Sequence, residues 1–146
     1  MKIAIDTNVV LDTLAHREPF FERSRAVMQL VAKGKVRGAI TANTITDIHY
    51  ILRKHLGGEV LKAALRGLME LLEVVDVTGP DCLAALDLDM DDYEDALLAH
   101  CAQGWGADYI VTRNTRDFAD SPLEARTPED FLKVAVLHFG TESGGL

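Results

Sequence analysis

Short aliphatic runs alternate along this chain with longer stretches in which apolar residues recur at helical spacing. The aliphatic runs predict strands at residues 2–5, 36–40, 74–77 and 109–112. The helical spacing predicts helices at residues 19–33, 45–56, 59–73, 81–86, 92–103 and from Thr127 onward. Strands that alternate with helices form mostly parallel sheets with helices on both faces. We therefore predict a three-layer α/β/α fold with a central, mostly parallel sheet.

The size and composition of the chain predict one globular domain. It has 146 residues, of which 48% are hydrophobic and 26% are charged. We assign residues 1–138 to this domain and expect residues 139–146 to form a disordered tail. No apolar stretch reaches the roughly 20 residues of a membrane span, and no signal peptide follows Met1. We therefore expect a cytoplasmic protein without a membrane partner.

The net charge of −8 argues against stable binding of duplex DNA by this chain alone. That mode of binding requires a net basic face that contacts phosphates. An acidic chain can still act on nucleic acid when clustered carboxylates hold divalent cations, because the bound metal supplies the positive charge. The positions of the carboxylates are therefore informative.

Four aspartates are candidates for such a cluster. Asp6 follows the first predicted strand and Asp117 follows the last, whereas Asp47 and Asp95 lie on predicted helices. Ligand sites of parallel sheets lie outside the carboxyl ends of the strands, and carboxylate oxygens suit Mg²⁺ or Mn²⁺. Each acid also has a purely structural interpretation, as a turn residue, a helix cap or a favourable charge in a first helical turn. For Asp47 that interpretation is a capping box with Thr44.

Polar neighbours of these acids have the same two interpretations. They could orient metal ligands or hold water, or they could be ordinary turn residues; they are Thr7, Asn8, Thr112 and Asn114. A loop that begins at Asp87 is not an EF-hand, because its sixth position is Asp92 where glycine is needed and its twelfth is Leu98 where glutamate is needed.

Several of these segments resemble a known family. Residues 3–11, IAIDTNVVL, resemble the opening of a PIN domain. Residues 92–97, DYEDAL, then 106–114, GADYIVTRN, and Asp117-Phe118 resemble the second half of that family, in its order and spacing. The resemblance extends from residue 1 to about residue 138 and is strongest to the small VapC-like bacterial and archaeal PIN proteins.

The resemblance implies an endoribonuclease that depends on Mg²⁺ or Mn²⁺ and is often the toxin of a toxin–antitoxin pair. It implies an RNA substrate, a homodimer and an antitoxin whose arginine enters the acidic cleft. By this resemblance the catalytic acids are Asp6, Asp47, Asp95 and Asp117. The metal ligands are Asp6, Asp95 and Asp117, with Asp92 as an additional ligand one helical turn before Asp95.

The chain departs from the family pattern at Asp47, where the family usually has glutamate. Aspartate is one methylene shorter, so an outer metal ion could be held through water or not at all. The resemblance thus leaves a second interpretation open, in which the chain is a catalytically weak or inactive PIN-like module that binds RNA or protein.

Basic residues near the acidic segments could contact RNA phosphates or simply be solvated. They are Arg53, Lys54, Arg113 and Arg116.

Two other protein classes are disfavoured. A response-regulator receiver needs a phosphoacceptor at the end of the third strand, whereas Asp76 is predicted inside its strand. A haloacid-dehalogenase phosphatase needs Asp-x-Asp after the first strand, and here Asn8 occupies the second place.

Overall fold

The computed structural model describes residues 1–140, which form five strands, seven α-helices and one 3-10 helix. The strands are β1 (Lys2–Ile5), β2 (Arg37–Thr41), β3 (Glu73–Val75), β4 (Tyr109–Val111) and β5 (Ala125–Arg126). The helices are α1 (Thr7–Leu14), α2 (Phe21–Ala32), α3 (Ala42–Leu52), α4 (Gly58–Leu71), α5 (Gly79–Ala85), α6 (Tyr93–Trp105) and α7 (Pro128–Phe139). The 3-10 helix spans Thr115–Phe118 and follows β4.

The five strands form one sheet in the order β3-β2-β1-β4-β5, and every neighbouring pair is parallel. Helices cover both faces of the sheet. Alternate residues of a strand point to opposite faces, and β1 shows this clearly. Ile3 and Ile5 pack into a core with residues of α1, α2, α3, α4 and α7, whereas Ala4 packs on the other face against α6. The predicted α/β fold with a central parallel sheet is confirmed.

Helix α1 has no counterpart among the predicted helices. No helix was predicted between β1 and residue 19, but α1 begins at Thr7, directly after β1. Asp6 is the N-cap of this helix, and its Oδ1 accepts a hydrogen bond from the Thr7 backbone N–H at 2.8 Å. Helix caps and turns favour the same residues, so the sequence alone did not distinguish them.

Two edge strands and the start of α2 also differ from the prediction. Strand β5, with two residues, was too short to predict, and β3 ends at Val75, so Asp76 follows the strand instead of lying within it. The receiver interpretation is still excluded, because receivers have the strand order 2-1-3-4-5. Helix α2 begins at Phe21, so Pro19 precedes the helix and is not its first residue.

Gly38 lies within β2 for a steric reason. A Cβ at this position would come within 2.9 Å of side-chain carbons of both Leu72 and Val31. Glycine therefore lets these two side chains approach the sheet closely.

The carboxyl-terminal end of the described chain is helical. Helix α7 ends at Phe139, one residue beyond the predicted domain boundary, and Gly140 is its C-cap with a φ of 77°. The remainder of the predicted tail, residues 141–146, lies outside the described residues.

Within residues 1–140, no helix has both the length and the apolar character that crossing a membrane requires.

Candidate active site

The carboxyl ends of β1 and β4 open into a cleft of about 500 Å³. Helix α3 and the amino-terminal end of α6 complete its walls. Six acidic residues line this acidic cleft: Asp6, Asp47, Asp92, Glu94, Asp95 and Asp117. All of these except Glu94 were predicted from the sequence. The cleft therefore brings together the five predicted acids, which come from four separate parts of the chain.

Asp6 is the most constrained of these acids. Its Oδ2 accepts a hydrogen bond from the Thr112 hydroxyl at 2.8 Å, and the Asn8 amide lies 3.4 Å from the same oxygen. Burial raises the pKa of the Asp6 carboxyl, and the hydrogen bonds from Thr112 and Thr7 oppose that rise. Repulsion by Asp117 raises this pKa further. Asp6 is thus a carboxylate held in place by donors and destabilised by nearby negative charge.

The polar residues after β4 connect that strand to α1. Thr112 is fully buried beneath the cleft, and its hydroxyl also accepts a hydrogen bond from the Asn114 backbone N–H at 3.1 Å. The Asn8 side-chain oxygen accepts one from the Arg113 backbone N–H at 3.3 Å. Thr7, Asn8 and Asn114 line the cleft itself, whereas Thr112 reaches it through Asp6.

Asp92 and Asp95 stand together at the start of α6. The Asp92 side chain caps this helix, since its Oδ1 accepts a hydrogen bond from the Asp95 backbone N–H at 2.9 Å. The pKa of the Asp95 carboxyl is raised to about 7 by burial and by repulsion from Asp92, Asp6 and Asp117. These four carboxylates therefore interact electrostatically across the cleft, as a set gathered for a cation would.

Glu94 is a cleft residue that the sequence analysis did not identify. A hydrogen bond from the protonated Glu94 carboxyl to Asp47, burial, and repulsion by the neighbouring aspartates raise the pKa of Glu94 to about 7. The pair links α3 to α6. Successive residues of a helix point in different directions, so a place beside Asp95 was no signal that Glu94 would share its cleft.

The capping-box interpretation of Asp47 is wrong. Helix α3 begins at Ala42, two residues before Thr44, and the Thr44 hydroxyl bonds the Thr41 hydroxyl at 2.9 Å. The Asp47 carboxyl instead meets Glu94 across the cleft. Asp47 is therefore oriented toward the other acids.

The donor chemistry of the cleft fits Mg²⁺ or Mn²⁺. Carboxylate oxygens are the ligands these hard cations prefer, and a bound cation would relieve the repulsion that raises the pKa values of Asp6 and Asp95. Among residues 1–140, no three His, Cys, Asp or Glu side chains already converge closely enough to hold an ion. The carboxylates that face the cleft would thus have to rotate toward one another around a cation.

Neither Arg113 nor Arg116 lines the acidic cleft. The Arg113 guanidinium is paired within the fold with Asp12 of α1, with Nε 2.6 Å from Oδ2, and it lies over the Phe20 ring at 4.1 Å. Asp12 is completely buried. This arrangement gives Arg113 a structural role that its sequence position beside Asn114 did not indicate.

Several solved structures have a similar fold. The chain is similar to solved structures of VapBC2 from Rickettsia felis, bound to a DNA fragment from its promoter (19% identity, 87% of this chain and 98% of that chain, TM-score 0.66), and of DNA-bound VapBC from Salmonella typhimurium (24%, 88% and 98%, 0.67). It is also similar to a toxin–antitoxin complex from Klebsiella pneumoniae (22%, 86% and 97%, 0.64). At these identities the likeness shows the fold. No curated protein matches the chain in sequence. The family model of the PIN domain matches residues 2–116, which is more than half of the chain, and this protein therefore belongs to the PIN domain family.

Proposed function

We propose that this protein is an endoribonuclease that hydrolyses RNA phosphodiester bonds with Mg²⁺ or Mn²⁺ as cofactor. The observation that carries the proposal is the convergence of Asp6, Asp95 and Asp117, with Asp92, at one end of the sheet. When bound, a divalent cation supplies an activated water and offsets negative charge on the phosphate oxygens.

In this proposal each side chain has a defined task. Asp6, Asp95 and Asp117 would hold the metal, and Asp92 would add a further oxygen at the start of α6. Thr112 keeps the Asp6 carboxylate in one orientation through its 2.8 Å hydrogen bond. Asp47 completes the catalytic set from α3, and Glu94 faces it across the cleft. No protein nucleophile is needed, since a water molecule would attack the phosphorus. The bond from phosphorus to the leaving ester oxygen would break, and that oxygen would take up a proton.

We also infer that the protein is a cytoplasmic toxin of a toxin–antitoxin pair and forms a homodimer. The similarity to chains from VapBC complexes supports an antitoxin partner. The excess of carboxylates in the cleft would attract an arginine of that partner. The exposed apolar side chains Val60 and Met69 of α4 are candidates for a self-complementary face.

The test is cleavage of a panel of structured RNAs and single-stranded DNA by the purified protein in Mn²⁺, Mg²⁺ or EDTA. We expect wild type to cut RNA only with metal, and Asp95→Asn to be inactive. The matched control is Asp120→Asn, which makes the same charge change at an exposed position outside the cleft and should retain activity. Equal behaviour of wild type and Asp95→Asn in every condition would contradict the proposal.

One observation favours a second candidate function. The side chain of Asp47 is one methylene shorter than the glutamate that the family usually has at this place. Its carboxyl also interacts with Glu94, so it is less available to a metal ion than the other acids. A PIN domain without an effective second acid would bind RNA or a protein partner without cutting. RNA binding in the same panel with no product in Mn²⁺ would favour this binding module.

A further inference from the structure

One wall of the acidic cleft carries an exposed aromatic ring. Asp47, Tyr50 and Ile51 line the cleft from α3, because residues three and four apart share one face of a helix. The Tyr50 residue is 58% exposed, although its neighbour Leu52 is buried in the core. A large aromatic side chain at the edge of a candidate nuclease site is a surface on which a base could stack.

Cationic side chains surround this ring. The Arg53 guanidinium lies 4.2 Å from the centre of the Tyr50 ring, and the Lys54 ammonium lies 5.7 Å from it. Neither residue forms an ion pair within residues 1–140. Their charges are therefore available to a ligand, in contrast to the guanidinium of Arg113, which is paired with Asp12.

The positive charge continues beyond the cleft. Arg17 lines the acidic cleft and also a neighbouring hollow of about 450 Å³. A polynucleotide that leaves the acidic cleft toward the end of α3 thus passes from carboxylates to cations. This change of charge matters because the acids alone would repel the phosphates that flank the reacting one.

Resting on the proposed function, we propose that Tyr50, Arg53 and Lys54 form a nucleotide platform, on which an unpaired base next to the scissile phosphate stacks. Arg53 covers part of the ring, so a base on the exposed part would complete an arrangement of base, aromatic ring and guanidinium. Bases within a duplex are stacked on their own neighbours and are not available to such a ring. The platform therefore accepts an unpaired nucleotide and excludes a paired one.

The first test is binding of a short single-stranded RNA and of a fully paired RNA of equal length, measured by fluorescence anisotropy in Mg²⁺. All variants are made in the Asp95→Asn protein so that the RNA is not cut. We expect Tyr50→Ala to weaken single-strand binding by about 5- to 150-fold and to leave the weaker duplex binding unchanged. Tyr50→Phe and Tyr50→Trp keep an aromatic ring and should retain affinity.

A matched control is available elsewhere in the chain. Phe20 is 39% exposed and has the Arg113 guanidinium over its ring at 4.1 Å, but it does not line the acidic cleft. Phe20→Ala should therefore leave RNA affinity unchanged. A 2-aminopurine in the RNA reports stacking directly, since its fluorescence should fall on binding when position 50 is aromatic and stay high with Tyr50→Ala.

The cations are tested through the salt dependence of binding. The double variant Arg53→Ala/Lys54→Ala should lower the slope of log affinity against log salt by about 1.4, which corresponds to two phosphate contacts on a single strand. Arg66→Ala, an exposed arginine of α4 outside both hollows, should change the slope little.

The outcomes separate this proposal from the nuclease itself. Equal single-strand affinity of Tyr50→Ala and the parent protein would overturn the platform, even if wild type cuts RNA. Equal affinity for single strands and duplexes would overturn it too. Lost single-strand binding with Tyr50→Ala would support the platform even if wild type cuts nothing.

Discussion

At the scale of single residues, the site depends on how Asp6 is held. Its carboxylate accepts hydrogen bonds from the Thr7 backbone and the Thr112 hydroxyl, and Thr112 is itself fully buried. A buried hydroxyl that donates to a carboxylate orients it and stabilises its charged form. Thr112 is therefore a positioning residue for the acid that follows β1.

We predict that Thr112→Val will destabilise the fold by about 1–3 kcal/mol. Valine has nearly the same shape but cannot donate to Asp6 or accept from the Asn114 backbone N–H. Urea unfolding measures the change. Thr112→Ser keeps the hydroxyl and should recover most of the lost stability, so equal losses in the two variants would argue against the hydrogen bonds as the cause.

A second residue-scale prediction concerns the charge of Asp95. Its pKa of about 7 in the fold exceeds the ordinary value of 3.8, so the charged form is less favourable in the folded protein than in the unfolded chain. The resulting loss of stability is absent below about pH 4 and grows as the pH rises through 7. We expect Asp95→Asn to stabilise the metal-free protein at pH 8 by a few tenths to about 1 kcal/mol, because solvent screens this partly exposed group.

Urea unfolding in EDTA at pH 4 and pH 8 tests this prediction. The gain from Asp95→Asn should be larger at pH 8, where the wild-type carboxyl is ionised. Asp120→Asn removes one charge at an exposed site outside the cleft and reports the general effect of net charge. An equal gain in both variants would show that the cleft is not the source of the repulsion.

At the scale of elements, the short helix α1 is joined to the segment after β4 by a buried ion pair. Asp12 is 0% exposed and its only charged partner within residues 1–140 is Arg113. A buried carboxylate without its partner is costly, whereas an apolar pair of similar size is often tolerated. The pair therefore constrains how α1 meets the sheet, close to the acids at the carboxyl ends of β1 and β4.

We predict that Arg113→Met will destabilise the protein by about 3–5 kcal/mol, because it leaves the Asp12 carboxylate buried and unpaired. The double variant Asp12→Leu/Arg113→Met should recover much of that loss. Arg116→Ala, at a neighbouring exposed arginine, should change stability by less than about 0.5 kcal/mol. Chemical unfolding of wild type, Asp12→Leu, Arg113→Met and the double variant gives the coupling energy, and simple additivity of the two single effects would contradict the ion pair.

At the scale of the whole molecule, metal binding should be linked to folding. The cleft joins β1, α3, α6 and the segment after β4, so a cation held there would bind only the folded chain. At a Mn²⁺ concentration one hundred times its dissociation constant, the gain is about 2.7 kcal/mol. For a chain of this size, that gain corresponds to a rise in Tm of about 5–10 °C.

Thermal unfolding with Mn²⁺, with Mg²⁺ and after addition of EDTA measures this linkage. EDTA should reverse the rise, Asp95→Asn should largely abolish it, and Asp120→Asn should retain it. The same Tm with and without metal over millimolar concentrations would exclude a cation site of useful affinity in this cleft.

The sequence by itself determined the layout of this protein. Aliphatic runs between amphipathic stretches predicted β1, β2 and β4 nearly to the residue, because buried parallel strands and amphipathic helices leave clear local patterns. The position of Asp6 directly after β1 placed it at the edge of the sheet where ligand sites lie. Helix α1 and strand β5 were missed, since a cap looks like a turn and a two-residue strand has no pattern.

Only the tertiary structure decided which side chains meet. The hydrogen bond between Asp47 and Glu94 and the ion pair between Asp12 and Arg113 join residues far apart in the chain. Such contacts depend on how helices pack across the sheet, and no local spacing encodes the direction in which a side chain points toward a distant element. The residue types thus identified the chemistry of the cleft, and the packing of α1, α3 and α6 decided which carboxylates share it and which arginine is withdrawn from it.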